Sequence, residues 1–257
     1  MVKAAFFDID GTLVSFQTHV VSEETVRAIR QLRAQGVKVF IASGRHVLWI
    51  NNLGDLEVDG YVALNGGYCV SGEGEVVYRR QISPEDIRQL LDYQREHPFP
   101  CSCVMDDIIL TNFRNEVVDE VYRQLHILNP PIGPIEGIAD KRVYQLIAFF
   151  TAEEEPRIMA HMPHCVATRW HPLFADVVPE GSNKAVGIQH LLAHYGIDPK
   201  EAIAFGDGGN DIEMLRYVGI GVAMGNASDE VKAAADFVTT SVDDEGIAYG
   251  LKHFGLI

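Results

Sequence analysis

The chain has 257 residues, which is enough for one large domain or two modest ones with a substantial core. Its composition, 47% hydrophobic and 22% charged, is typical of a globular protein. The formal net charge of -15 argues against a nucleic-acid-binding protein, which needs a basic face, and against binding to anionic membrane surfaces.

The first 65 residues alternate strands with helices. The apolar runs KAAFFD (3–8), VKVFIA (37–42) and GYVALN (60–65) predict strands that are buried on both faces of a sheet. Ser22 is the predicted N-cap of a helix that stops at Gly36, and a second, short helix is predicted before residue 60. This alternation indicates a doubly wound parallel sheet.

The pattern changes after residue 66. A hairpin is predicted over 68–78, and a helix begins at Pro84 with Ser83 as its N-cap. Further strands are predicted at 101–105, 108–112, 142–150, 165–170 and 174–178, and further helices at about 115–128 and 153–162. Such runs of strands with few helices indicate an antiparallel sheet with helices on one side, and hence a separate, smaller domain.

The first pattern returns at Ser182. Strands are predicted at 201–207, 219–224 and 236–240, and helices at 184–194, from about 210, at 229–235 and at about 247–254. The predicted fold class is therefore α/β. Residues 1–81 and 180–257 form a doubly wound, Rossmann-like core, and an α/β domain at 82–179 is inserted into it.

Acidic side chains follow several of the predicted strands. Ligands bind open parallel sheets at the carboxyl ends of the strands. The polar residues at these ends are Asp8, Asp10, Ser43, Asn65, Asp207 and Asp211. A single strand-end aspartate is often a turn former or a helix cap, but several carboxylates at one edge would repel one another. A hard divalent cation would remove that repulsion, and Mg²⁺ is the usual choice beside phosphate.

The first pair of aspartates suits phosphoryl transfer. Asp8 and Asp10 are two residues apart and Gly11 lets the chain turn directly after them. One carboxylate can attack phosphorus and form an acyl phosphate, while the other protonates the leaving oxygen and later deprotonates a water. Ser43 could donate to the phosphate oxygens, and Lys184 could supply an ammonium near a helix start, although most such lysines are merely solvated.

Four segments of the chain resemble the signatures of the haloacid dehalogenase superfamily, in the same order. They are DIDGTL (8–13), ASGR (42–45), Lys184 and GDGGND (206–211). Together they are similar to those of the Cof-type, Mg²⁺-dependent phosphatases, and the chain looks closest to Bacteroides hexose phosphate phosphatases. The resemblance covers the whole chain, and it implies that the inserted α/β domain is a cap between the second and third signatures.

The resemblance also implies roles for individual residues. Asp8 would be the nucleophile and Asp10 the general acid/base. The implied magnesium ligands are Asp8, the backbone carbonyl of Asp10 and Asp207. Asp211 would contact these ligands and not the ion, or would reach the ion through a water. The implied phosphate-binding residues are Ser43, Gly44, Lys184 and Asn210.

Two features qualify the resemblance. Relatives commonly have glycine straight after the lysine, whereas this chain has Ala185, with Gly187 two residues further on, which leaves the start of this helix open. Dehalogenases of the superfamily lack the second aspartate because a halide needs no proton. Asp10 therefore points to an oxygen leaving group.

The expected substrate is a small polar phosphate ester such as a sugar phosphate. Arg45, Trp170 and His171 are the candidates for contacting its leaving group, and the alternatives are a surface salt bridge for Arg45 and packing for Trp170. Other functions remain open: a phosphotransferase or phosphomutase, a phosphatase for a nucleotide or cofactor ester such as pyridoxal phosphate, and a phosphate-ester sensor without turnover.

The remaining expectations concern location and partners. The four cysteines form no CxxC pair and a chain of this size needs no disulfides, so reduced thiols and a cytoplasmic location are expected. No apolar stretch approaches the roughly 20 residues that a membrane-spanning helix needs. We expect no nucleic-acid or membrane partner, and a monomer or weak homodimer.

Overall fold

The computed structural model describes residues 1–124 and 130–257, and of Trp170 it describes the backbone only. The chain divides into two compact units. The core unit comprises Met1–Tyr78 and Asn183–Ile257, and the inserted unit comprises Arg79–Ser182.

The described residues form the following regular elements. The strands are β1 Ala4–Phe7, β2 Lys38–Ala42, β3 Gly60–Ala63, β4 Tyr68–Ser71, β5 Val76–Arg79, β6 Cys101–Val104, β7 Ile109–Thr111, β8 Gln145–Ala148, β9 Cys165–His171, β10 Phe174–Pro179, β11 Ala202–Gly206, β12 Ile220–Ala223 and β13 Phe237–Val238. The helices are α1 Glu23–Ala34, α2 Pro84–Glu96, α3 Glu116–Gln124, α4 Glu155–Met159, α5 Lys184–Tyr195, α6 Ile212–Tyr217, α7 Asp229–Ala234 and α8 Gly246–His253.

The core unit contains one sheet of order β13-β12-β11-β1-β2-β3-β4-β5. Its strands from β13 to β3 run parallel, and β4 is antiparallel to β3. Phe7 at the end of β1 pairs with Phe205 of β11 and Ile41 of β2. This register brings the residues that follow these three strands to the same edge of the sheet.

Side chains of β1 alternate between two hydrophobic cores, as expected for a strand buried on both faces. Ala5 and Phe7 pack in a core with residues of α1 and α8, whereas Ala4 and Phe6 pack in a core with residues of α5, α6 and α7. The predicted doubly wound α/β sheet is therefore confirmed. Ser22 is the N-cap of α1, and its side chain accepts a hydrogen bond from the N–H of Thr25.

The short helix predicted before residue 60 is not an α-helix. The chain forms only a 3-10 turn at Val47–Trp49 and then irregular backbone. Asn51 and Asn52 favour turns, and Gly54 adopts a φ of +58° that ends any helical run.

The inserted unit contains an antiparallel sheet of order β7-β6-β8-β10-β9. Helix α2 begins at Pro84 with Ser83 as its N-cap, as predicted. Residues of α2 and α4, among them Ile87 and Ile158, pack in one core with Cys101 and Cys103 of β6. The helix predicted at 115–128 is observed over Glu116–Gln124, and its predicted end at 125–128 lies outside the described residues.

The prediction that all helices of this unit lie on one side of its sheet is wrong for α3. Ser102 lies between Cys101 and Cys103 in β6, so its side chain points to the opposite face. Its hydroxyl is 2.7 Å from the hydroxyl of Tyr122 in α3. No helix in the described ranges is both long and apolar enough to span a bilayer.

Candidate active site

The first predicted pair of aspartates follows β1 directly. The N–H of Asp8 donates to the carbonyl of Phe205 at 3.0 Å, which continues the parallel ladder by one residue. The chain turns at Gly11, which has a φ of +89°. A Cβ at Gly11 would lie 2.2 Å from Oδ2 of Asp207, so two loops that are distant in sequence meet here only because the residue is glycine.

Lys184 is buried between two of the predicted carboxylates. Its Nζ donates to Oδ1 of Asp8 at 2.6 Å and to Oδ1 of Asp211 at 2.5 Å, and its side chain is fully buried. Lys184 is the first residue of α5, and Asn183 is the N-cap, accepting from the N–H of Val186. The alternative of a solvated lysine does not describe this side chain.

Gly187, two residues after Ala185, lies where α5 comes close to β3. A Cβ at Gly187 would lie 2.5 Å from Cγ1 of Val62 and 2.9 Å from Cα of Gly66. The close approach of α5 to the end of β3 therefore needs a glycine at 187, one helical turn into α5.

The charges in this cluster are unbalanced. Burial raises the pKa of Asp8 well above its ordinary value, and the neighbouring carboxylates act in the same direction while Lys184 opposes them. Burial alone would lower the pKa of Lys184, but the carboxylates of Asp211 and Asp8 outweigh it, so that the net pKa is raised and the ammonium keeps its proton. Burial raises the pKa of Asp207 to about 6, against the opposing effect of a hydrogen bond from Thr12.

These residues fit a metal ion. Asp8, Asp207 and Asp211 each offer a carboxylate oxygen, and these oxygens lie within 4.8 Å of one another. Three carboxylates face one ammonium in a largely buried site, so a cation with oxygen ligands would relieve the excess negative charge. The cluster could therefore hold a metal ion of the hard, oxygen-binding class.

Both oxygens of Asp211 already accept hydrogen bonds from the protein. Lys184 donates to Oδ1, and the backbone N–H groups of Asp207 and Gly208 donate to Oδ2 at 3.0 and 2.9 Å. A Cβ at Gly206 would lie 2.5 Å from the carboxyl carbon of Asp211. This carboxylate thus organises the loop that carries Asp207.

Two residues that the sequence reasoning missed fix the orientation of Asp207. The hydroxyl of Thr12 donates to its Oδ1 at 2.8 Å, and the amide of Asn226 donates to its Oδ2 at 3.3 Å. The same amide donates to the carbonyl of Gly11 at 2.9 Å, and Oδ1 of Asn226 accepts from the N–H of Val242. Thr12 lies in the first signature, but only the fold brings Asn226 to this loop.

The end of β2 forms a tight turn that contacts Asp10. The N–H of Arg45 donates to Oγ of Ser43 at 3.1 Å, which closes the turn around Gly44. The guanidinium of Arg45 then binds both oxygens of Asp10, with Nε–Oδ2 at 2.8 Å and Nη2–Oδ1 at 2.6 Å. Arg45 is thus in a bidentate ion pair, as the salt-bridge alternative expected, but the pair is partly buried and its partner, Asp10, was not predicted.

Asn210 joins this group through another asparagine. Its Nδ2 donates to Oδ1 of Asn65 at 2.9 Å, and a Cβ at Gly44 would lie 3.2 Å from Nδ2 of Asn65. Asn65 has a φ of +51°, which is uncommon for a residue other than glycine. Nine of the predicted site residues thus lie in the core unit: Asp8, Asp10, Ser43, Gly44, Arg45, Lys184, Asp207, Asn210 and Asp211.

The other two predicted residues belong to the inserted unit. Trp170 and His171 end β9, and the side chain of Trp170 lies outside the described residues. The imidazole of His171 accepts from the N–H of Leu173 at 3.2 Å and stacks on Phe174, and its burial lowers the pKa. Their proposed contact with substrate stays a prediction.

The chain is similar to known proteins over nearly its whole length. The family model for haloacid dehalogenase-like hydrolases matches residues 5–251. The structure of BT4131, a sugar phosphatase of subclass IIB of this superfamily, is 44% identical, with all of each chain covered and a TM-score of 0.91.

Two further proteins are similar over nearly their whole length. BT1666 from Bacteroides thetaiotaomicron, studied among phosphatases of this superfamily, is 39% identical with a TM-score of 0.91, over 100% of this chain and 96% of that one. YkrA of Bacillus subtilis, which is named as a phosphatase with no substrate given, is 38% identical over 99% of this chain and 98% of its own.

Proposed function

The chain belongs to the haloacid dehalogenase-like hydrolases, and on that basis we propose that it is a Mg²⁺-dependent phosphatase of small phosphate monoesters, with sugar phosphates as substrates. The observation that carries the proposal is the buried contact of Lys184 with Asp8 and Asp211, beside Asp207. The phosphatases among its relatives, one of them a sugar phosphatase, support the reaction class.

Asp8 is the proposed nucleophile. Its carboxylate attacks phosphorus, the bond from phosphorus to the leaving oxygen breaks, and an aspartyl phosphate forms. Lys184 holds one oxygen of Asp8 through a 2.6 Å hydrogen bond, which fixes the direction of attack. The ammonium also counters the negative charge of an incoming phosphate, which the net charge of the chain would otherwise repel.

Asp10 is the proposed general acid and base. It gives a proton to the leaving oxygen and later takes one from the water that hydrolyses the aspartyl phosphate. In this structure Arg45 occupies both oxygens of Asp10, so the pair must separate before Asp10 can donate a proton. We propose that Arg45 then turns to the leaving group of the substrate, in keeping with its predicted role.

The remaining core residues bind the phosphoryl group and the metal. We propose that Ser43, Gly44, Lys184 and Asn210 hold the phosphate oxygens. Asp8, the backbone carbonyl of Asp10 and Asp207 would hold Mg²⁺. Asp211 would act indirectly, because its Oδ2 accepts from two backbone N–H groups and its Oδ1 lies against the ammonium of Lys184. When bound, Mg²⁺ supplies positive charge that stabilises the oxygens of the transferring phosphoryl group.

The assignments of Trp170 and His171 to leaving-group recognition and of the inserted domain as a cap remain predictions. We further propose that the protein acts in the cytoplasm, which the four free, buried cysteines support. Its partner is then a small phosphate ester, and we propose no nucleic-acid or membrane partner. The oligomeric state, a monomer or weak homodimer, stays a prediction.

The experiment that tests this function is the Asp8→Asn variant, assayed for phosphate release from p-nitrophenyl phosphate. We expect Asp8→Asn and removal of Mg²⁺ each to abolish release, whereas Asp92→Asn, the same change in an exposed ion pair, leaves it unchanged. Full activity of Asp8→Asn would contradict the mechanism. Transfer to a sugar acceptor that outpaces hydrolysis would identify a phosphotransferase instead, and a panel of hexose, nucleotide and cofactor esters identifies the substrate.

A further inference from the structure

The turn after β3 has an unusual backbone. Leu64, Asn65 and Gly66 have φ values of +51°, +51° and +87° in succession. Side-chain-bearing residues rarely adopt this left-handed conformation, and for leucine it is clearly unfavourable. Leu64 and Asn65 are also buried, at 1% and 6% exposure. Buried strain of this kind persists only where surrounding contacts require it, and it is concentrated at functional sites.

The backbone of this turn is bonded to the Ser43–Arg45 turn. The N–H of Leu64 donates to the carbonyl of Arg45 at 3.2 Å, and the N–H of Asn65 donates to the carbonyl of Ser43 at 3.1 Å. Two consecutive N–H groups thus point to the same neighbouring loop, an arrangement that regular strand backbone, with its alternating directions, does not provide.

The side chain of Asn65 contacts a second element. Its Oδ1 accepts from Nδ2 of Asn210 at 2.9 Å, across 145 positions of sequence, while the amide packs against Gly44. Gly66, the next residue of the same turn, lies against a third element, the start of α5. A Cβ at Gly66 would lie 1.9 Å from the carbonyl oxygen of Asn183, the residue before Lys184.

We propose that Asn65 is a positioning residue, which holds Asn210 and the Ser43–Gly44 turn in the mutual geometry that a phosphoryl group requires. This inference rests on the proposed function, because Ser43, Gly44 and Asn210 are phosphate-binding residues only if that function holds. The left-handed backbone lets one residue bond to the Ser43 carbonyl through its N–H and to Asn210 through its side chain.

The test is the Asn65→Gly variant. Glycine adopts the left-handed conformation more easily than asparagine, so the fold is retained and Tm is equal or higher, while the contact with Asn210 is lost. We expect KM for p-nitrophenyl phosphate and the inhibition constant of inorganic phosphate each to rise about tenfold, with a smaller change in kcat. Titration calorimetry with inorganic phosphate gives the same comparison without turnover.

A double-mutant cycle with Asn210→Ala tests whether Asn65 acts through Asn210. Adding Asn65→Gly to Asn210→Ala should change phosphate binding by less than about twofold, because the positioned group is already gone. The control is Glu245→Gly, another residue of positive φ, whose side chain contacts only Ser22 and Thr25 among the hydrogen bonds of the described residues. It should leave KM and the phosphate inhibition constant unchanged.

Three results would overturn the inference. They are wild-type phosphate binding in Asn65→Gly, additive effects in the cycle, and a fall in Tm of more than about 5 °C in Asn65→Gly, which would make Asn65 a structural residue. A wild-type protein that neither releases nor binds phosphate would instead refute the proposed function and the inference with it. An active wild type with an unaffected Asn65→Gly refutes only the inference.

Discussion

Replacement of Lys184 by methionine should destabilise the metal-free protein strongly. Methionine has a similar length and no charge, so the carboxylates of Asp8 and Asp211 would stay buried without the ammonium that now lies 2.6 and 2.5 Å away. Breaking a buried ion pair by removing one partner costs about 3–5 kcal/mol of the free energy of unfolding. At about 2–4 °C per kcal/mol for a domain of roughly 150–250 residues, Tm should fall by about 6–20 °C.

Scanning calorimetry in a chelator at about pH 7.5 measures this loss, with Lys252→Met as the matched control. Lys252 makes an ion pair with Glu24 at 3.0 Å, but it is 59% exposed, so its replacement should cost less than about 1 kcal/mol. Saturating Mg²⁺ should recover part of the loss in Lys184→Met, since an ion at 100 times its Kd contributes about 2.7 kcal/mol.

The loss of stability in Lys184→Met should also be smaller at low pH. Burial raises the pKa of Asp8, so the stability that depends on its protonated form is present at low pH and is lost as the pH rises through the raised pKa. Lys184 opposes this rise, so its removal should raise the pKa of Asp8 further in the variant than in the wild type. The deficit of Lys184→Met should therefore shrink when the pH is lowered from about 7.5 to 5. A metal-free Lys184→Met with a wild-type Tm, or a deficit that grows on acidification, would refute this account of the cluster.

Three further outcomes are expected. The Mg²⁺-induced rise in Tm should be larger at about pH 7.5 than at pH 5, because burial raises the pKa of Asp207 to about 6 and protons then compete with the ion. Equal rises at the two pH values would be inconsistent with Mg²⁺ binding to Asp207. Asp10→Asn should slow hydrolysis of a sugar phosphate by about 10²–10⁴-fold. With p-nitrophenyl phosphate, rapid-mixing absorbance should still show a burst of nitrophenolate, because this leaving group needs no proton. The absence of a burst would argue against the acid/base role. Gly187→Ala should lower the free energy of unfolding by about 1–3 kcal/mol in chemical denaturation, because its Cβ would lie 2.5 Å from Val62. The control is Gly137→Ala, which has open space around it and should lower that free energy by less. Equal losses would show that the close approach does not matter.

The parallel sheet and its strand ends were predictable because local patterns determine them. Continuous apolar runs indicate strands that are buried on both faces, and Ser22 and Ser83 mark helix starts through their capping chemistry. Once β1 and β11 are parallel neighbours, Asp8 and Asp207 must follow them at one edge. The carboxylate cluster of the candidate site therefore follows from topology alone.

The contacts between loops were not predictable in this way. Arg45 binds Asp10 across 35 positions, and Asn210 binds Asn65 across 145, and nothing in either local sequence specifies the partner. The left-handed backbone of Asn65 is likewise a consequence of tertiary contacts, since a strand-end asparagine is compatible with several turn types. The contact of α3 with the second face of its sheet is comparable, since nothing in the local sequence pairs the hydroxyl of Ser102 with that of Tyr122.

The proposed mechanism requires that Asp8 becomes phosphorylated during turnover. The most direct measurement is an acid quench of the enzyme during reaction with a phosphate ester and Mg²⁺, followed by borohydride reduction and peptide mass spectrometry. Reduction of an aspartyl phosphate converts the aspartate to homoserine, and we expect this change at position 8 alone. Phosphate release without modification of residue 8, or with modification of a different residue, would contradict the account.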